Sequence, residues 1–255
     1  MKSSWLDLLP PFLRWRVIFW GQHYKIKWLR FRQPEPELAG VKIPIVQQLT
    51  DNICAAIYAG YYERAELSTF RKKLESQDIV LEVGAGIGFL SSYCSSAIGS
   101  GNVFAYEANP EMEKLIRSVY RANQVQPALK IGVLGKQAGT TTFYVTRDFW
   151  ASSLLPPPGS YEEVSVPVYD LNEEVHKINP TFLLMDIEGG EYDLIRIIDF
   201  HTIRKISAEL HTDVLGQDRI DEIKAVMDHA GFVIDPALSS VIPGVKEVLF
   251  LERAG

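Results

Sequence analysis

The chain has 255 residues, 47% hydrophobic and 23% charged, with a formal net charge of −6. That suits one α/β domain with a sizeable core, and two cysteines, Cys54 and Cys94, are too few for a disulfide scaffold. Residues 1–33 hold seven Lys/Arg and one acid, whereas the other 222 residues hold 19 basic and 31 acidic groups, an acidic body that speaks against nucleic acid as a partner.

In chain order, residues 1–40 read as a basic extension and linker. Residues 1–33 carry Trp5, Trp15, Trp20 and Trp28 in a helical pattern, and the prolines of QPEPE (33–37) favour a stiff connection. Asp7, Pro10, Pro11, Arg14 and Arg16 interrupt any signal-peptide core, and no apolar run reaches the roughly 18 residues of a membrane span. The expectation is a cytoplasmic, soluble chain with a body at 41–255. Helical spacing of Leu49, Ile53, Ala56 and Ile57 predicts a helix over 44–75.

Strands and helices then alternate. Strands are expected at 79–83, 102–107, 128–134 and 181–187, with helices at 88–98, 110–123 and 190–199. Residues 140–146 alternate as a strand with one exposed face. Residues 164–171 are extended, and Pro167 marks them as an edge. A strand at 203–210 and a helix at 217–230 lead to closing strands at 232–236 and 246–252, with no helix between them. The pattern predicts a mainly parallel, doubly wound sheet that ends in an antiparallel hairpin.

LEVGAGIGF (81–89) places Gly84, Gly86 and Gly88 directly after a buried strand and before a helix. Small residues there let the backbone approach a ligand, and the helix start offers free N–H groups. Glu107 ends the next strand, 21 residues beyond Gly86, at the spacing of a carboxylate that holds a ribose diol. A dinucleotide loop would need a third glycine at 89, where Phe89 stands. The spacing therefore favours S-adenosylmethionine over a nicotinamide cofactor.

LEVGAGIGFLS, YEANPEM, VPVYDL, LLMDIEGGEYDLI and SAELH occur in the order seen in FkbM-type methyltransferases, and DIEGGE (186–191) resembles that family's D-x-E-G-x-E signature. The resemblance spans about residues 58–252. It implies a Rossmann-like, seven-stranded class I methyltransferase sheet with an antiparallel last strand, and an S-adenosylmethionine-dependent enzyme that yields S-adenosylhomocysteine. It implies that Glu82, Gly84, Ala85, Gly86 and Gly88 line the cofactor, that Glu107 takes the ribose, and that Ala108 and Asn109 lie near the adenine. GVLGKQAG (132–139) lacks the acid that many class I enzymes place there, so the backbone at Val133 or Leu134 is expected to meet the adenine.

Methyl transfer to a hydroxyl needs the acceptor proton removed. Asp186 ends the fourth core strand, facing both cofactor and acceptor, with Glu188 just beyond it. Glu209 and His211, two apart, share one side of the neighbouring strand end. Asp186 and His211 rank equally as the base, with Glu188 and Glu209 as supporting catalytic candidates. Asp186, Glu209 and His211 would also suit a divalent metal. Glu191 reads as a helix-start acid favoured by the dipole.

For the acceptor, Trp150, Ser152 and Ser153 in FWASSLLPPPG (149–159) offer stacking and hydroxyl contacts, and Tyr62 lies before the first core strand. The favoured activity is O-methylation of a small-molecule or glycan hydroxyl. N-methylation of a small amine and a non-catalytic binding role are the alternatives. For residues 1–33 the alternatives are a lid, a dimer contact, or a peripheral contact with an anionic membrane.

Overall fold

A computed structural model describes residues 25–46, 49–146, 152–154, 156 and 159–253. Residues 1–24, most of the basic stretch, lie outside the described residues, as does Trp150. Helix α1 spans 25–32 and leaves Trp28 and Phe31 exposed, with the Arg32 guanidinium over the Trp28 ring at 5.6 Å. A short hairpin, β1 (Glu37–Leu38) with β2 (Val41–Lys42), follows. Ile26, Val41 and Ile43 are buried in the same cluster as the main core. No helix among the described residues is long and apolar enough to cross a membrane.

The central sheet uses β3 (Val80–Val83), β4 (Val103–Glu107), β5 (Ala128–Ile131), β9 (Phe182–Met185), β10 (Lys205–Leu210), β11 (Phe232–Ile234) and β13 (Lys246–Arg253). Their order is β11-β13-β10-β9-β3-β4-β5, with β13 antiparallel to both neighbours and β12 (Ser240–Ile242) also paired to β13. This is the doubly wound, Rossmann-like sheet expected from the alternation, and its closing strands are antiparallel as expected. Successive side chains of a strand point to opposite faces, so a sheet covered on both sides needs apolar residues throughout. Val80, Val103, Ala105, Phe182 and Leu184 face one cluster, shared with α2 (Asp51–Ala59), α3 (Arg64–Lys73), α4 (Phe89–Ile98) and α5 (Glu113–Ala122). Leu81, Val83, Tyr106, Leu183 and Met185 face the other, shared with α6 (Leu171–Ile178), α7 (Glu191–Ile195), α8 (Thr212–Leu215) and α9 (Gln217–His229). Cys54 and Cys94 are free and buried.

Several local expectations change. The helix expected over 44–75 is two helices, because Gly60 turns the chain at φ 74 after α2. The strand expected at 128–134 breaks at Gly132, with φ +143, into β5 and β6 (Val133–Gly135), which belong to different sheets. β6, β7 (Gly139–Val145) and β8 (Glu162–Asp170) form a separate three-stranded sheet with β8 in the middle, not at an edge. Pro167 is tolerated there because pairing with β6 begins only at Val168. α6 was not expected; the Asp170 side chain caps it by accepting from the Asn172 and Glu173 N–H groups. The helix expected over 190–199 is only the five residues of α7.

Candidate active site

Chain order reverses between β3 and β9, which lie side by side in parallel register with Val83 opposite Met185. In open α/β sheets the crevice beyond such a switch point receives the ligand. Here the crevice is a cavity of about 1060 Å³, walled by the carboxyl ends of β3, β4, β9 and β10, the start of α3 and the β6–β7–β8 sheet. Two non-glycine residues on its wall, Glu63 (φ 45) and Glu188 (φ 52), adopt left-handed backbone. That conformation costs of order 1–3 kcal/mol at a non-glycine residue and concentrates at functional sites.

One side is the glycine loop. Gly84 and Ala85 donate to the Tyr106 carbonyl at 2.9 and 3.0 Å. Gly84 has φ +93, and a Cβ there would stand 1.8 Å from the Asp186 carbonyl oxygen, so this glycine lets the β3 and β9 ends meet. At Gly88 a Cβ would meet Ile116 at 2.8 Å and Tyr120 at 2.9 Å, so that glycine serves helix packing. The Glu107 carboxylate accepts from Gly86 N–H at 2.9 Å and from Asn109 N–H at 2.8 Å. Burial still pushes the Glu107 carboxyl up to about 7, against those hydrogen bonds. Gly84, Gly86, Glu107, Ala108, Val133, Leu134 and Asp186 line the cavity. Glu82, Ala85, Gly88 and Asn109 are not among its lining residues. Glu82 is buried, its Oε2 without a hydrogen-bond partner, and Asn109 caps the turn at Pro110–Met112.

The other side gathers the acids. After β9 the chain passes Asp186 and turns through Glu188 and Gly189 (φ 103), while Gly190 stays right-handed at φ −83. His211 follows β10 and is buried. Its Nδ1 lies 2.7 Å from Glu191 Oε1, and its Nε2 lies 3.2 Å from Glu188 Oε2, 3.2 Å from Glu209 Oε1 and 3.8 Å from Asp186 Oδ1. Lys246, from β13, reaches Glu209 Oε1 at 2.5 Å. The four catalytic candidates are therefore brought together.

The cluster sets its own charge states. Burial opposes the His211 charge, but hydrogen bonds to Glu191 and Glu209 and the nearby Glu188 outweigh it, pushing the imidazole up to about 11. Burial and the neighbouring Glu209 hold the Asp186 carboxyl well above its usual range. Burial also works against the Glu209 charge, but the His211 and Lys246 bonds prevail and hold that carboxyl below its usual range.

The sequence reading missed three members. Glu191 is a helix-start residue as expected, yet it is fully buried and turned onto His211. Glu66 arrives from α3, buried, and burial pushes it up to about 7. Lys246 arrives from β13. Each contact spans distant segments and leaves little local signal, although Glu66 stands three residues after Glu63 in YYERAE. Among the acceptor candidates, Tyr62 and Ser152 line the cavity. Ser152 Oγ accepts from Thr146 N–H at 3.0 Å. Ser153 does not line it and instead bridges Tyr144.

The model of the methyltransferase FkbM domain matches residues 82–234. No curated protein matches the chain significantly. Among solved structures, a methyltransferase from Pyrococcus furiosus is similar at 10% identity and TM-score 0.49, covering 92% of this chain and 99% of that one. A precorrin-6y C5,15-methyltransferase from Geobacter metallireducens is similar at 12% identity and TM-score 0.47, covering 75% and 88%. A ribosomal protein L11 methylase from Lactobacillus delbrueckii subsp. bulgaricus is similar at 14% identity and TM-score 0.45, covering 77% and 80%.

Proposed function

The chain belongs to the FkbM methyltransferase family, and from that premise we propose that it methylates a hydroxyl of a saccharide or natural-product acceptor with S-adenosylmethionine. The observation that carries this reading is a single cavity of about 1060 Å³ that joins the Gly86–Glu107 anchor to Asp186, Glu188 and Glu209, with His211 packed behind them. Pockets for one drug-sized ligand run from about 300 to about 1,000 Å³, so the space suits a donor and an acceptor side by side.

Bound donor supplies an electrophilic methyl group on a sulfonium. The fixed Glu107 carboxylate is suited to a ribose diol, and Gly84, Gly86, Ala108, Val133 and Leu134 would form the rest of the donor wall. Asp186, at the switch point against Gly84, would orient the acceptor hydroxyl and take its proton. His211, with its Nε2 3.8 Å from Asp186 Oδ1, would balance that carboxylate's charge, and Glu188 and Glu209 hold the imidazole in place. Tyr62, Phe143, Ser152 and Leu154 would border the acceptor.

Asp186→Asn should cut transfer to a hydroxyl acceptor by about 10²-fold or more, the usual worth of a positioned base. Donor affinity should be largely kept. Turnover equal to wild type would remove Asp186 from the chemistry. A second reading, N-methylation, draws on the surplus of carboxylates, which would pair with an ammonium. A panel of hydroxyl and amine acceptors with labelled donor separates the two.

A further inference from the structure

We infer that Asp186, Glu188 and His211 form a divalent-cation site of the manganese or magnesium type, with Glu191 as the positioning residue behind His211. Ligand atoms of these three residues all lie within 4.8 Å of one another. Ligands about 2.1 Å from one ion sit at most about 4.2 Å apart, and His211 Nε2 is 3.2 Å from Glu188 and 3.8 Å from Asp186. The arrangement needs only side-chain adjustment to close on an ion.

The histidine is built for the role. Its Nδ1 is committed to the fully buried Glu191 at 2.7 Å, so Nε2 is the atom aimed at the carboxylates. A carboxylate behind a ligating histidine is the usual way of fixing its tautomer and ring orientation. Nε2 becomes a ligand once the cation replaces its proton.

The surroundings are short of positive charge. Asp186, Glu188, Glu191, Glu209 and Glu66 face only His211 and Lys246 as nearby cations among the described residues. Asp186 Oδ1 and an oxygen each of Glu66 and Glu191 are buried without a hydrogen-bond partner, and Glu66 and Glu191 are 5% and 0% exposed. Glu209 is left out of the ligand set because Lys246 already holds its Oε1 at 2.5 Å. This replaces the set expected from sequence, which had Glu209 in place of Glu188. Oxygen donors with one imidazole suit Mn²⁺ or Mg²⁺.

The cation's use rests on the methyl-transfer reading: it would bind the acceptor hydroxyl and lower its pKa. Its existence does not. Metal-stripped full-length protein should be titrated with Mn²⁺ alone, by calorimetry and by loss of the free-ion electron paramagnetic resonance signal. Saturation of a single site below about 1 mM is expected, with nitrogen modulation in the spin-echo spectrum. His211→Ala should remove that modulation. Glu188→Gln, at a half-exposed position that spares the core, should weaken binding at least tenfold. Glu191→Gln should weaken it about 10–100-fold. No saturable Mn²⁺ binding, or binding unchanged in both His211→Ala and Glu188→Gln, would overturn the site. Binding of S-adenosylhomocysteine to the same metal-stripped protein separates failure of the metal site from failure of the methyltransferase reading.

Discussion

Replacing Gly84 with alanine probes the contact that brings the two halves of the site together. Gly84 has φ +93, and the added Cβ would lie 1.8 Å from the Asp186 carbonyl oxygen. Two costs combine. A non-glycine residue in left-handed backbone loses about 1–2 kcal/mol. Overlap with a main-chain atom cannot be relieved by a rotamer change, and such overpacking adds about 1–3 kcal/mol. Gly231→Ala is the control, because Gly231 has φ +86 and nothing within 4 Å of its would-be Cβ. Expected losses are about 1–2 kcal/mol at Gly231 and about 2–5 kcal/mol at Gly84. In a chain of this size each kcal/mol is worth about 2–4 °C of Tm, so urea and thermal unfolding both resolve the difference. Turnover should fall only in Gly84→Ala, where the strand end that carries Asp186 must move. Equal stability losses at the two glycines would refute the packing argument.

Other perturbations separate structural acids from those of the site. Glu82 is buried and its carboxyl is pushed up to about 8 from 4.5 by burial, so the folded state holds the proton more tightly than the unfolded state. Stability therefore falls as pH rises from about 4.5 to about 8, with the full cost present above that. Glu82→Gln should match wild type at the acid end and gain up to about 5 kcal/mol at the alkaline end, with donor affinity unchanged; a pH series of Tm values checks this, and a pH-independent difference would count against it. At the opposite end of β10, Lys205 Nζ bonds the fully buried Asp78 at 2.9 Å. Lys205→Met leaves that carboxylate with Thr181, the Glu75 N–H and Arg204 at 3.5 Å, and should cost about 1.5–3 kcal/mol in denaturant unfolding without altering donor affinity.

Much of the site was legible because its signals are local. The glycine loop and Glu107 sit on consecutive strands, and Asp186 ends an apolar run, so alternation alone sends them to one end of the sheet. His211 and Glu209 were legible as a pair because strand period places them on one side. What joins distant segments was not legible. Glu191 meets His211 only because β9 and β10 are neighbours, and Glu66 and Lys246 converge on Glu209 from α3 and β13. Local errors had local causes. Pro167 suggested an edge, but β8 is the central strand and the proline falls just before its pairing with β6 begins, and Gly132 hid a change of sheet inside one apolar run. α6 carried a readable start in Asp170 and Glu173, but the extended run before it masked the change of period. In the exit turn after β9 the left-handed steps fall on Glu188 and Gly189, so the Gly189–Gly190 pair by itself does not mark them.

The account's central claim is that Glu107 and the glycine loop bind a nucleoside-bearing methyl donor beside Asp186. Calorimetric titration of wild type and Glu107→Ala with S-adenosylhomocysteine tests it most directly. The account predicts saturable one-to-one binding in wild type, and at least tenfold weaker binding in the variant, about 1.4 kcal/mol or more. Absence of binding in wild type, or equal affinity in the two proteins, would contradict it.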